Sequence, residues 1–248
     1  MSLDTTDFLT EAQARIDLAA ALRMTARANM HEAVANHYSI SLQPDGRRFL
    51  INPKWMHFAR VKASDLILID LDDPSTMTDE RLDQTARAIH GQVHKLCPQA
   101  RVIMHLHPIA ATALASLDPP QLPPIDQNSA RYFNRLAYDL DFGGMANSDA
   151  EGARLAGLMG KHSRLMMGNH GVMITAQTMG EAWDDIYTFE RAARIVVAAM
   201  STGRPLKVLS DEAAEQTAQD WESIVDFQIR HFEEMKLILD EECPDYRN

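Results

Sequence analysis

The stretch Arg101-Val-Ile-Met-His-Leu-His107 constrains this chain more than any other. Val102, Ile103 and Met104 read as a buried β-strand. Side chains alternate between the faces of a strand, so His105 and His107 point the same way. A third imidazole, His170, sits in Gly168-Asn-His-Gly171 between two β-rich runs, Arg164–Met167 and Val172–Thr175. Three imidazoles from two strand ends form the His₃ set of an open catalytic metal site, with positions left for substrate or water. The H-x-H spacing alone is a weak signal, since most such pairs on apolar strands are ordinary polar positions; the rest of the chain has to support it.

Around this strand the pattern alternates between short β-runs and helices. Thr10 caps a helix reaching Asn29, with Gln13 in the capping-box position. Ala35–Leu42, the turn Pro44-Asp-Gly46 and Phe49–Ile51 make a hairpin. Asp65–Asp70 is a further strand, and Thr78–Leu96 has helical periodicity. The His105/His107 strand leads through Pro108 into Ile109–Leu117, a helix with proline in its first turn. Asp118–Gly144, with Pro119, Pro120, Pro123 and Pro124, is a long shaped loop suited to binding residues. Glu151–Met159 and Met179–Met200 are helices, and beyond Pro205 the chain is helical and charged. The β-elements lie mostly too close together for simple βαβ winding, so the expected fold is α/β, with strands in one layer covered by helices.

With 248 residues, 46% of them hydrophobic, the chain makes one domain, or one domain with a helical appendage. A formal charge of −11 argues against nucleic acid and anionic membrane surfaces as partners. Cys97 and Cys243 have no C-x-x-C spacing, so no disulfide framework is expected. There is no signal-like start and no run near the roughly 18 apolar residues of a membrane span. A cytoplasmic setting follows as the default expectation.

The order of pieces resembles the class II aldolase/adducin family. The matching segments are Arg48-Phe-Leu-Ile-Asn-Pro53, Ala63-Ser-Asp-Leu-Ile-Leu-Ile-Asp70, Val102-Ile-Met-His-Leu-His107, Leu122-Pro-Pro124, Glu151-Gly152, Gly168-Asn-His-Gly171 and Glu190-Arg-Ala192. The resemblance implies a three-layer α/β/α sandwich around a mostly antiparallel sheet, over residues 1–205, with 206–248 as a helical extension of the same domain. It implies one divalent metal ion held by His105, His107 and His170, zinc ahead of manganese, iron and cobalt. It also implies a small-molecule substrate and a homotetramer with active sites at subunit contacts.

Three departures shape the chemistry. The family's sugar-phosphate aldolases hold phosphate with a Gly-Asn dipeptide, a T-P-S-G turn and paired serines. Here the corresponding stretches are Asn36-His-Tyr-Ser39, Asn52-Pro-Lys-Trp55 and Gln84-Thr85. Phosphate recognition wants closely approaching glycine N–H groups, and His37, Tyr38 and Trp55 fill that space instead. Lys54 still offers a point charge, so His37, Lys54 and Trp55 are substrate-binding candidates for a ligand without phosphate.

The second departure is Ala86, which stands at the position of the family's acid–base glutamate; alanine moves no proton. Decarboxylation fits, because the bond-breaking step needs no base there, only a proton donor afterwards. Asp126, Tyr132 and His90 are the candidates for that donor, in that order. The third departure is the polar segment Ile125–Asn134, whose Gln127 is a further binding candidate, or else a surface or subunit contact.

His90 and His94 have i,i+4 spacing, which suits a second metal site or a supporting role for His90. The resulting expectation is a metal-dependent carbon–carbon lyase, by decarboxylation or aldol cleavage, of a small non-phosphorylated oxo or hydroxy acid. A non-heme Fe(II) oxygenase and a non-catalytic adducin-like assembly module are the alternatives.

Overall fold

The computed structural model describes residues 8–142, 144, 148–224 and 226–248. Strand β1 (His37–Ser41) turns back antiparallel on β2 (Arg48–Ile51), which pairs with β3 (Ile67–Asp70). On its other edge β1 pairs with β4 (Val102–Leu106), so the two histidines lie on a central strand. The sheet continues through β7 (Gly171–Ala176) and β6 (Arg164–Met167) to β5 (Ala137–Asp139), in the order β3-β2-β1-β4-β7-β6-β5. Only the β5–β6 pair is parallel among the described strands.

Strand alternation divides the apolar residues between two layers. Tyr38, Ile40, Val102, Met104, Leu106, Val172 and Ile174 face a core shared with α1 (Glu11–Arg27), α3 (Ile109–Ala115), α6 (Met179–Met200) and α8 (Phe227–Glu242). Ile103, Met173, Leu165 and Met167 face α2 (Gln84–Leu96) and α5 (Asp149–Met159). The result is the α/β/α sandwich expected from the sequence. His105 is in phase with Ile103, which puts it on the α2 side of the sheet.

Helix starts are set by local acceptors. Thr10 Oγ1 accepts from Gln13 N, and Thr178 and Glu181 form a capping box for α6. The helix expected from Thr78 begins instead at Gln84, because Asp83 caps it and a 3-10 turn, Pro74–Thr78, precedes it. The 118–144 stretch, read as loop, contains α4 (Gln127–Ala130) and β5. Beyond α6, α7 (Asp211–Ser223) and α8 follow, and α8 is tied to α1 by a buried Lys236–Asp17 pair of 3.0 Å. No helix among the described residues is long and apolar enough to cross a membrane.

Candidate metal centre and its cavity

The end of β4 delivers both histidines with their rings already oriented. His105 Nδ1 lies 3.1 Å from the carbonyl oxygen of Val172, which can only accept, so Nδ1 carries the proton and Nε2 the lone pair. His107 Nδ1 donates to Glu32 Oε2 at 2.5 Å. The two Nε2 atoms then face each other at 3.1 Å. Two lone pairs at that distance repel unless a proton or a cation lies between them. Two nitrogens bound to one tetrahedral zinc at about 2.1 Å stand about 3.4 Å apart, close to what is found.

The third imidazole comes from the turn between β6 and β7. Asn169 occupies the left-handed region there, at φ 55°, which asparagine tolerates better than most residues. The turn is anchored by Gly168 N to Asp139 O and Asn169 N to Ala115 O. His170 is thereby placed with its ring 4.8 Å from the rings of both His105 and His107. One nitrogen from each of the three lies within 4.8 Å of the others. Burial holds His105 well below the usual imidazole range and pushes His170 down to about 4. Both are therefore neutral at pH 7, the form that ligates a cation. The outer partners on His105 and His107 are of the kind that orient metal-bound imidazoles. On donor type, orientation and outer partners, these residues fit a divalent ion.

Glu190, buried on α6, supports the same strand end from behind. Its carboxylate accepts from Ala110 N at 3.3 Å and Ala111 N at 2.9 Å, the first turn of the helix that follows His107-Pro108. The same carboxylate also accepts from Arg194 Nε at 2.8 Å.

Above the histidines opens a cavity of about 450 Å³. His37, Lys54 and Trp55, all singled out from the sequence, line it together with the three histidines. Trp55 lies at its rim, 72% exposed. His90 does not line it. It is fully buried behind His37, with Nε2 2.7 Å from His37 Nδ1, and its burial holds it well below the ordinary imidazole range.

The structure does not bring Asp126, Gln127 or Tyr132 to the cavity. Asp126 caps α4 through Ser129 N and Asn128 N, since a carboxylate before a helix satisfies its free N–H groups. The Gln127 carbonyl accepts from Trp221 Nε1. Tyr132 is buried, with its hydroxyl donating to the Asp185 carbonyl beside the Arg131–Asp184 ion pair.

Glu32, Asn36 and Asp83 line the cavity without having been singled out. Asp83 had a legible signal, an Asx residue ahead of the periodic run of α2, hidden by starting that helix too early. Glu32 had none, because its partner His107 is 75 residues away. Ala86 packs among Phe49, Ile51 and Ile67 and does not line the cavity, so the nearest carboxylate contributed by this helix end is Asp83.

Comparison with known proteins agrees with this geometry. Residues 16–197 match the family model described as the class II aldolase and adducin N-terminal domain. A Caulobacter vibrioides protein named for the class 2 aldolases is 34% identical over 206 residues, 83% of this chain and 79% of its own length. The decarboxylase NovR of Streptomyces niveus is 24% identical over 79% of this chain and 73% of its own. A crystal structure of an aldolase II superfamily protein from Pseudomonas syringae superposes with a TM-score of 0.86 at 26% identity, covering 98% of each chain.

Proposed function

The chain belongs to the class II aldolase and adducin family, and on that premise we propose that it is a divalent-metal-dependent carbon–carbon lyase. Its substrate is a small oxo or hydroxy acid without phosphate, and decarboxylation is the reading adopted. The observation that carries this is the facing pair of imidazole Nε2 atoms, 3.1 Å apart, with His170 closing the third side at the floor of a cavity.

The cavity's charges support a ligand of low charge. Lys54 is the one lysine or arginine among the described lining residues, against the carboxylates of Glu32 and Asp83. Away from the divalent ion, a dianionic phosphate would meet two carboxylates and a single lysine. Lys54 suits a single carboxylate.

When bound, a divalent ion supplies a Lewis acid that polarises a carbonyl and stabilises charge on its oxygen as the neighbouring bond breaks. His105, His107 and His170 hold it, and Glu32 keeps His107 in the ligating orientation. Trp55 stands at the rim, where its ring can meet the outer part of a bound substrate. Asp83 is fixed by one oxygen on Ala86 N, which leaves the other to exchange a proton with the substrate or a water. In a decarboxylation this follows bond breaking; in an aldol cleavage it would precede it. Asp83→Asn therefore separates the two, with a loss of about 100-fold or more in turnover expected only for aldol cleavage.

The test is metal analysis of protein purified without added metal or chelator, followed by CO₂ release from a panel of 3-oxo acids with and without phosphate. Near-stoichiometric zinc or manganese and release from the non-phosphorylated members is the expected result. Iron with iron-dependent oxygen uptake would replace the lyase with an oxygenase; absence of metal after reconstitution would leave an assembly module. The same reading includes a homo-oligomer, a tetramer by family resemblance. Ile109, Leu140 and Phe142 are exposed apolar residues on segments flanking the site, and light scattering is expected to give a mass several times that of one chain.

A Cβ on Gly171 would stand 2.6 Å from His107 Cδ2 and 2.7 Å from Leu106 O. Neither can yield without moving His107. Gly171→Ala is expected to weaken metal binding by about 10- to 100-fold, comparable to losing an outer partner, as measured by chelator competition.

A further inference from the structure

Behind the cavity runs an unbroken line of hydrogen bonds between β1 and α2. His37 and Ser39 share the face of β1 that meets α2, where His90 and His94 lie one helical turn apart. His37 Nδ1 is 2.7 Å from His90 Nε2, and His90 Nδ1 is 2.5 Å from Ser39 Oγ. Ser39 Oγ is 2.7 Å from His94 Nε2, and His94 Nδ1 is 2.7 Å from Ala100 O.

The final carbonyl fixes every proton in this line. Ala100 O can only accept, so His94 Nδ1 carries the hydrogen and its Nε2 the lone pair. Ser39 must then spend its single hydrogen on His94 and accept from His90 Nδ1. His90 Nε2 is left as an acceptor, so His37 donates from Nδ1. Each ring is neutral, because a buried imidazolium is costly and no carboxylate among the described residues hydrogen-bonds to these rings. All three histidines are thereby held as the Nδ1–H tautomer.

We infer that this relay presents His37 Nε2 to the cavity as a fixed hydrogen-bond acceptor, and that it selects substrates carrying a free hydroxyl just beyond the metal-chelating oxygens. A second observation points to the same kind of ligand. Asn36, the residue before His37, is 6% exposed, lines the cavity, and its amide Nδ2 has no hydrogen-bond partner among the described residues. Its Oδ1 is occupied by Glu32 N. Adjacent positions thus offer one acceptor and one unused donor. A hydroxyl can give its hydrogen to His37, beside which Asn36 Nδ2 is a buried donor with no partner among the described residues. A methyl group there would leave His37 Nε2 desolvated and unpaired.

The inference rests on the reading of the cavity as a site for small metal-chelated acids, and its test separates the two. Zinc-loaded protein is titrated with glycerate, lactate and 3-O-methylglycerate, using calorimetry. All three chelate through a carboxylate and the 2-hydroxyl, but only glycerate has a further O–H to donate. Glycerate is expected to bind about tenfold more tightly than either analogue, and the preference is expected to vanish in His37→Ala. Ser39→Ala breaks the relay without touching the cavity and is expected to reduce the preference while leaving zinc content unchanged.

Two-bond ¹H–¹⁵N spectra of the wild-type protein read the tautomers directly and need no variant. Protonated Nδ1 and bare Nε2 are expected at His37, His90 and His94. Equal binding of the three acids, or a proton on His37 Nε2, overturns the inference and leaves the metal-site reading standing. Failure of all three acids to bind removes the acid-site reading and this inference with it.

Discussion

His170→Ala is expected to abolish stoichiometric metal binding and, with it, turnover. The three candidate ligands are held in different ways. His105 and His107 come from one strand end, each with a partner that fixes its ring, Val172 O and Glu32. They make a two-nitrogen edge but not an enclosed site. His170 is the one candidate ligand supplied by a different turn, and the anchors of that turn, Asp139 O and Ala115 O, belong to the backbone of other elements. Removing its ring leaves two imidazoles and water, and the cost exceeds the 10- to 100-fold typical of losing an outer-shell partner.

The fold has little stake in that ring. His170 is a half-buried side chain on a surface turn, so the metal-free variant is expected to unfold within about 1 kcal/mol of the metal-free parent. Metal per chain, measured beside Glu32→Gln, gives the comparison. Glu32→Gln should lose about 10- to 100-fold in affinity and keep some activity at high metal, whereas His170→Ala should not be rescued. A His170→Ala protein that retains the parent's metal content would refute the ligand set.

The contrast between these residues also marks what the sequence could reveal. His105 and His107 were legible because strand periodicity by itself puts both on one face, and His170 because its turn is bracketed by two β-runs. A single layer of strands covered by helices was legible from the alternation of short β-runs and helical stretches, while the α/β/α sandwich was what the resemblance implied. What periodicity does not encode is which residue of a distant turn comes to rest against which ring. Glu32 on His107 and Glu190 on the first turn of α3 are contacts of that kind. Asp126 and Tyr132 illustrate the opposite error. A polar residue in a proline-framed loop looks available for chemistry, yet Asp126 is committed to capping α4 and Tyr132 to the core beside Asp185.

His90 falls between the two cases. Its i,i+4 partner His94 suggested ligation, but strand β1 supplies Ser39 between them, and the pair serves a hydrogen-bond line instead.

Metal-free protein is expected to lose several kcal/mol of stability between pH 7 and pH 5, and the buried histidines are the cause. Burial pushes His94 down to about 4, with its bond to Ala100 O only partly opposing, and His37 likewise to about 4. His90 and His105 are also held below the ordinary value by burial. The unfolded chain takes up protons on these rings near pH 6.5, while the folded chain does so only at lower pH, near pH 4 for His37 and His94. The unfolded state thus binds more protons in between, and stability falls as pH falls through that window. It is fully present above about pH 6.5.

For one ring with this displacement the loss between pH 7 and pH 5 is about 2 kcal/mol. Several neighbouring rings contribute, though less than additively, because each proton taken up opposes the next. The carboxylates work in a different range. Asp72, Asp79 and Asp240 are held below the usual carboxylate value by arginines, so their contribution is present above about pH 4 and is lost only below it. Burial raises Asp17 instead, so the imidazole share is read by comparing urea unfolding of the parent and a histidine variant at pH 7 and pH 5. His94→Gln removes one titrating ring; it is expected to be less stable than the parent at pH 7 and to show a drop toward pH 5 smaller by about 2 kcal/mol. A parent stability that is flat across this interval would mean that these rings accept protons within the fold, and the neutral, directional relay assigned to them would not hold.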